Sequence, residues 1–189
     1  MSADHLIRRV GGVELPTKGC WTIPRSHVAV HYGARTGLIR RVRGQAPAAS
    51  GVMQVTEDPA DTALFLNIAT WADPRRAGGP SLAALLGNSR ISVLVLQASA
   101  IDMPTNGAWQ MRGTAHMSWV SRPVSISVTY HGLYRAGDRA KASLTIRAEI
   151  EHDFSGPRRR GPIELVADVL AVAPSAAGSS DADRTALVA

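Results

Sequence analysis

The sequence predicts an all-β protein, an eight-stranded antiparallel barrel carrying one short helical insertion. Three observations predict it. From Ala108 to Ala148 three successive segments alternate apolar and polar residues, the period of half-buried strands. Their apolar parities agree across both intervening turns, so all three present one apolar face. The rest of the chain supplies further short apolar segments punctuated by glycine, proline and asparagine, without an internal repeat. A sheet with one apolar side and this many strands buries that side most readily by closing on itself, which also removes its edges. Two packed sheets remain the rival arrangement.

The elements follow in order. Residues 1–19 read as a leader of mixed character, partly ordered at most. The first strand runs from Trp21 to Tyr32: Trp21 and Ile23 share a parity, Pro24 and Ser26 break it, and Val28, Val30 and Tyr32 resume it, which marks a bend. Ile39 to Ala46 is a second strand, Gly51 to Thr56 a third, and Glu57-Asp58-Pro59 opens a turn. In Ala63 to Trp71 both parities are apolar, Phe65 on one and Leu64, Leu66 and Ile68 on the other. That leaves its inner face undecided, with Phe65 kept as an inward candidate. Ser81 caps a short helix to Leu86, packing Leu82, Leu85 and Leu86 inward. Asn88 to Ala98 is a strand with Ile91, Val93 and Val95 set against Ser92, Leu94 and Leu96. Asn106-Gly107 is a hairpin signal.

In the meander, Trp109, Met111, Ala115, Met117 and Trp119 are odd. Val124, Ile126, Val128 and Tyr130 are even, after a turn placed at Ser121-Arg122 by the following Pro123. A turn at Gly137-Asp138 leads to Ala142, Leu144, Ile146 and Ala148. These turns set Met117 opposite Ile126, Ala115 opposite Val128, Tyr130 opposite Ile146 and Val128 opposite Ala148. Ile150 to Pro162 reads as a loop, and Ile163 to Val172 as the last strand. With Ile150 opposite Leu165, Ile146 meets Val169 and Leu144 meets Ala171. The barrel domain spans residues 20–172, and residues 173–189, rich in Ala, Ser and Asp, read as a disordered tail.

Composition narrows the function classes. The 189 residues are 45% hydrophobic and 19% charged, which suits one domain with a substantial core. No run approaches the ~18–20 apolar residues of a spanning helix. Arg8 and Arg9 precede no apolar stretch, so no secretory signal is expected, and the lone Cys20 excludes a disulfide framework. A cytoplasmic location is the expectation. The net charge of +6 gathers in short clusters: Arg8-Arg9, Arg40-Arg41 with Arg43, Arg75-Arg76 and Arg158 to Arg160. Each lies in or beside a turn, as a solvated rim or as a peripheral contact with an anionic membrane.

The chemistry-bearing motifs are missing. There is no His-Glu-x-x-His, paired cysteine ligand, phosphate-cradling loop or Gly-x-Ser-x-Gly elbow. His27 and His31 on one strand stand ~13 Å apart, too far to chelate one metal. The turn at 121–122 would set His116 opposite Ser127 and His131 opposite Arg112, so these two histidines do not meet. No catalytic residue and no metal ligand is assigned, and no enzyme is expected. Basic residues with strand aromatics suggest a single-strand nucleic-acid binder, but Trp109, Trp119 and Tyr130 share the apolar parity, so no nucleic acid is expected.

Several stretches resemble the YceI-like, polyisoprenoid-binding proteins. Trp21-Thr22-Ile23-Pro24-Arg25-Ser26-His27-Val28-Ala29-Val30 is similar to that family's first strand, and Val42-Arg43-Gly44 to its second. Val55-Thr56-Glu57-Asp58-Pro59 fits the next block. Trp109-Gln110-Met111-Arg112-Gly113-Thr114-Ala115 through Ser121-Arg122-Pro123-Val124 resembles its most recognisable hairpin, and His152-Asp153-Phe154 with Glu164 to Val172 its C-terminal part. The stretch Arg75 to Leu82 departs from the family's segment at the barrel mouth.

The resemblance implies a lipocalin-like barrel holding a polyisoprenoid or isoprenoid quinone, without a catalytic cofactor. Its lining would be the inward set Val28, Val30, Tyr32, Phe65, Met111, Met117, Ile126, Val128, Tyr130, Leu144 and Ile146. It also implies pairing through the outer wall, with Ala63 to Trp71 as the patch of a homodimer. From the residues alone, the same inward set equally well fills the barrel and leaves a structural or protein-interaction module.

Overall fold

The computed structural model describes residues 7–10, 12–36, 40–71, 80–87, 90–118, 120–136, 139–151 and 160–174. A two-stranded hairpin, β1 (Ile7–Val10) and β2 (Val13–Pro16), precedes the sheet. The barrel is then built from β3 (Gly19–Ile23), β4 (Val28–Thr36), β5 (Arg40–Gln45), β6 (Ala49–Val55), β7 (Ala63–Ala69), β8 (Val93–Ala100), β9 (Ala108–Met117), β10 (Val120–Ala136), β11 (Arg139–Ile150) and β12 (Arg160–Val172).

These ten strands make eight staves. Strands β3 and β4 are one stave bent at Pro24 and a 3-10 turn over Arg25–His27, whose first bond runs from His27 N to Pro24 O at 2.9 Å. Strands β5 and β6 are its partner, bent at the matching place: β4 pairs β5 and β3 pairs β6. Each later strand pairs antiparallel with the one before it. The last, β12, returns to β3 and β4, so the first and last staves close the barrel. The observed fold is therefore the one the alternation predicts.

Both ends of the tube are covered. At one, β2 lies against β10 with Leu15 fully buried, and the Arg8 guanidinium donates to the carbonyls of Thr56 and Glu57, each at 2.7 Å. At the other lies α1 (Leu82–Leu85). The Ser81 Oγ accepts from Ala84 N at 3.1 Å, the cap its position predicts. Leu82, Leu85 and Leu86 are buried, and Ala83 N donates to Thr70 O at 3.0 Å. Thr56 follows β6 and Thr70 follows β7, its antiparallel partner, so the two covers sit at opposite ends.

Parity survives where register slides. Val120 faces Met117 and Ile126 faces Met111, so β9 gives way to β10 between Met117 and Val120 rather than at Ser121-Arg122. Ser118 takes the left-handed φ of 57° that such a tight turn requires. Pro123 sits within β10, opposite Thr114 and one residue before the β11 ladder begins at Val124. Its missing N–H therefore costs no bond on that side. Between β10 and β11 a bulge at His131 puts Val128 opposite Ile146 and Tyr130 opposite Leu144. On the next ladder Ile150 faces Ile163, Ile146 faces Ala167 and Leu144 faces Val169. Every slip is by an even number, so no side chain changes face.

Phe65 is a correction: it is 38% exposed on the outer wall, while Leu64, Leu66 and Ile68 are buried. Its face of β7 also carries Asn67, whose amide would lie unpaired in an apolar interior. The same reasoning turns Val93 and Val95 outward beside Gln97 and Ser99, and brings Leu94, Leu96 and Ala98 inside. The expectations for Trp119, Arg75 to Gly79, Gly137-Asp138, His152 to Phe154, Arg158-Arg159 and the tail from residue 175 lie outside the described residues.

Candidate functional site: the barrel interior

Period-two strands aim alternate side chains at the barrel axis, and the inward set forms one continuous apolar cluster. Val30, Tyr32, Met111, Met117, Ile126, Val128, Tyr130, Leu144 and Ile146 are all buried in it. Val28 is partly buried and packs against it. Phe65 alone among the expected lining residues stands apart, on the outer wall. The reading from alternation missed Met53, Leu64, Leu66, Leu94, Leu96 and Leu165, which complete the wall from the opposite side. Their signal was present in register: Leu66 lies opposite Leu96, and Met53 opposite both Leu64 and Trp21.

Two indoles occupy the hairpin-covered end. Trp21 and Trp109 are fully buried, and each Nε1 finds a carbonyl, Thr17 O at 2.9 Å and Pro59 O at 3.1 Å. At the α1 end the Tyr32 hydroxyl donates to Pro80 O at 3.0 Å, tying the first stave to the residue before the helix cap. Burial pushes the Tyr32 and Tyr130 phenols above their usual range, and the Glu14 carboxylate adds to the push on Tyr130. Both remain hydrogen-bond donors at neutral pH.

Glycines set how tightly the wall curls. A Cβ on Gly44 would lie 2.4 Å from the Tyr32 ring, and one on Gly113 would lie 1.9 Å from the Gln97 carbonyl oxygen. The Arg-Gly pairs at 43–44 and 112–113 thus mark places where a ring, or a neighbouring strand, takes the space of a side chain.

The outer wall is polar. His131 Nε2 lies 2.9 Å from Thr145 Oγ1, which donates to Asp168 Oδ1 at 3.1 Å. The threonine proton points at the carboxylate, not at the imidazole, so the trio lacks the polarity of a nucleophile with its base. His116 lies opposite Ser121 rather than Ser127, and its Nδ1 is 3.0 Å from Ser121 Oγ. A groove of about 320 Å³ crosses β9 to β12 outside the barrel, lined by Gln110, Ser125, Ser127, Arg147, Glu149 and Glu164 with mixed charge. Among the described residues no group of three His, Cys, Asp or Glu side chains is placed to hold a metal, and no helix is long and apolar enough to cross a membrane.

Closed staves, an apolar interior and a polar exterior define the class: an antiparallel β-barrel compatible with the lipocalin-like superfamily, an architecture suited to enclosing an apolar ligand. No family model matches the chain, and no curated protein matches it.

Proposed function

We propose that this chain is a non-enzymatic, YceI-like carrier of an isoprenoid lipid or isoprenoid quinone. The observation that carries the reading is the continuous apolar interior between two separately fastened covers. Met53, Met111 and Met117 lie within it, and methionine deforms around an irregular chain more readily than branched residues do. Each buried methylene contributes ~0.8 kcal/mol before ordering costs, so length and width would set selectivity. Among the described residues, the Tyr32–Pro80 and Ala83–Thr70 bonds fasten the α1 cover, beside the buried Leu82, Leu85 and Leu86.

Native mass spectrometry of the purified protein, followed by organic extraction, tests this. A bound species of several hundred daltons is expected, lost when Met117 and Ile126 are replaced by tryptophan. Protein that stays empty after incubation with polyprenols and quinones would remove the carrier reading.

A second reading is favoured by the near-complete burial of the interior side chains: a filled barrel that acts through its outer wall. There Val52 and Gln97 flank Phe65, and Asn67 faces Val95 beside the exposed Val93, one uncharged area of mixed polarity across β6 to β8. In a chain of net charge +6, a twofold axis through this area brings two copies together without opposing like charges. Sedimentation is expected to give a dimer of the 20.0 kDa chain that Phe65→Arg dissociates. A wild-type chain that sediments only as a monomer at micromolar concentration would refute the pairing.

A further inference from the structure

The two ends of the barrel differ in charge. At the end covered by α1, register sets Arg41 opposite Arg35 and Arg40 opposite Thr36, and Arg160 is the partner of Thr36 on its other side. Four arginines thus hold neighbouring positions on β5, β4 and β12. Like charges opposed in a ladder destabilise it, so the folding of the barrel gains nothing from this cluster. The carboxylates of the described wall begin below it, at Glu164 opposite Gly33 and Glu149 opposite Glu164, with Glu151 at the rim. Glu14, Glu57, Asp58 and Asp61 lie at the other end, with the hairpin cover and the turn after β6.

Trp71 joins the arginine arc. It follows β7, where Thr70 N donates to Ser92 O at 3.1 Å and Thr70 O accepts from Ala83 N of α1. Around this end come β8, β7, the stave of β5 and β6, then β4 and β12. Trp71 therefore stands between the exposed Arg90, just before β8, and Arg40-Arg41 at the start of β5. It is 45% exposed, whereas Trp21 and Trp109 are fully buried. An exposed indole or a basic cluster alone is ordinary surface. Together at one end they match an anionic bilayer, where indoles settle among the head groups and cations sit against the phosphates. A single-stranded nucleic acid would call for several rings to stack on, and among the described residues this end exposes one.

We propose that the α1-covered end is a docking surface for an anionic lipid bilayer, with Arg35, Arg40, Arg41 and Arg160 supplying the charge and Trp71 entering the head-group layer. The molecule then stands on the membrane with its hairpin-covered end, and the carboxylates there, turned away from the lipid phosphates. This goes beyond the carrier reading and does not depend on it, since docking is read on vesicles without reference to any cargo.

Co-sedimentation with phosphatidylcholine vesicles, with and without phosphatidylglycerol, tests this. Wild-type protein is expected to pellet with the anionic vesicles alone and to be released at high salt. Arg40→Gln with Arg41→Gln should weaken binding about thirtyfold. That double variant loses like-charge repulsion, so its urea midpoint should hold or rise. Arg9→Gln with Lys18→Gln, the same loss of charge at the far end, should bind as wild type does. Brominated lipid is expected to quench the tryptophan fluorescence of bound wild-type protein, and to quench Trp71→Phe less. Wild-type protein that ignores anionic vesicles overturns the inference, whether or not it retards single-stranded RNA. Equal weakening in the two double variants, or undiminished quenching in Trp71→Phe, overturns it as well. None of these outcomes bears on whether the barrel takes an isoprenoid.

Discussion

Replacing Gly44 by alanine probes how the first hairpin is locked to the helix at the barrel end. The register puts Gly44 opposite Tyr32, and a Cβ there would sit 2.4 Å from Cε2, Cζ and Oη of the ring. Ordinary contact begins about 1 Å further out, so the ring must swing. Swinging breaks the Tyr32–Pro80 bond, a loss of about 1 kcal/mol. It also exposes part of a ring that buries about 150–250 Å² in all, and uncovering half of that costs about 2–3 kcal/mol at ~25 cal/mol per Å². Together Gly44→Ala should lower stability by about 3–4 kcal/mol, read from urea unfolding followed by tryptophan fluorescence. In a Tyr32→Ala background the obstacle is gone, and the same substitution should be neutral or slightly stabilising. A cycle giving less than about 1 kcal/mol of coupling would refute the reasoning, because the cost would then not arise between these two side chains.

Further expectations follow from the wall, the turns and the buried phenols. At Gly113 the obstacles are backbone, the Gln97 carbonyl at 1.9 Å and Ala98 Cα at 2.5 Å. Gly113→Ala should therefore cost more than Gly44→Ala, and trimming Ala98 to glycine should not rescue it, as equilibrium unfolding would show. Asn106 and Gly107 both hold left-handed φ, 51° and 74°, so Asn106→Ala should cost about 1 kcal/mol in the same assay. The raised phenols make stability pH-dependent. The folded state keeps the Tyr32 and Tyr130 protons past the ordinary value near 10, while the unfolded chain gives them up there. Their contribution is complete below that pH and lost as pH rises through the folded values. Urea midpoints should drop from pH 8 to pH 11 in wild type, and less steeply in the Tyr32→Phe, Tyr130→Phe double variant.

Strand identity and facing were legible wherever one parity was apolar and the other polar, as in Trp109 to Met117 and Ala142 to Ala148. Register was less legible, because Pro123 reads as turn punctuation although β10 accommodates it where the β11 ladder has not begun. The turn falls three residues earlier, between Met117 and Val120, and the bulge at His131 has no local signature. Facing failed at Phe65 and stayed undecided along Val93 to Leu96, where both parities are apolar and only Asn67 and Gln97 tell the wet side from the dry. Within the leader, Ile7–Val10 and Val13–Pro16 pair as β1 and β2. Gly11-Gly12 between Val10 and Val13 is a two-residue hairpin signal, and Gly12 takes a φ of 82°. That the hydroxyls of Tyr130 and Thr62 find no partner among the described residues was beyond the reach of sequence, since pairing depends on which carbonyls the folded wall presents.

Closure between the first and last staves carries a consequence for biosynthesis. Leu165 pairs with Tyr32 and Val169 with Val28, contacts that span almost the whole domain. While the chain emerges from the ribosome, seven staves can pair in sequence, yet the free edges of β4 and β11 stay open until β12 is made. High contact order of this kind slows folding and leaves a sticky edge waiting for its partner. The same geometry brings Gly19 beside Pro174, with a Cβ on the former 2.8 Å from the ring of the latter. A circular permutant that joins these two positions and opens the chain at the turn after Met117 would synthesise the closing seam early and leave the β9–β10 ladder to be completed last.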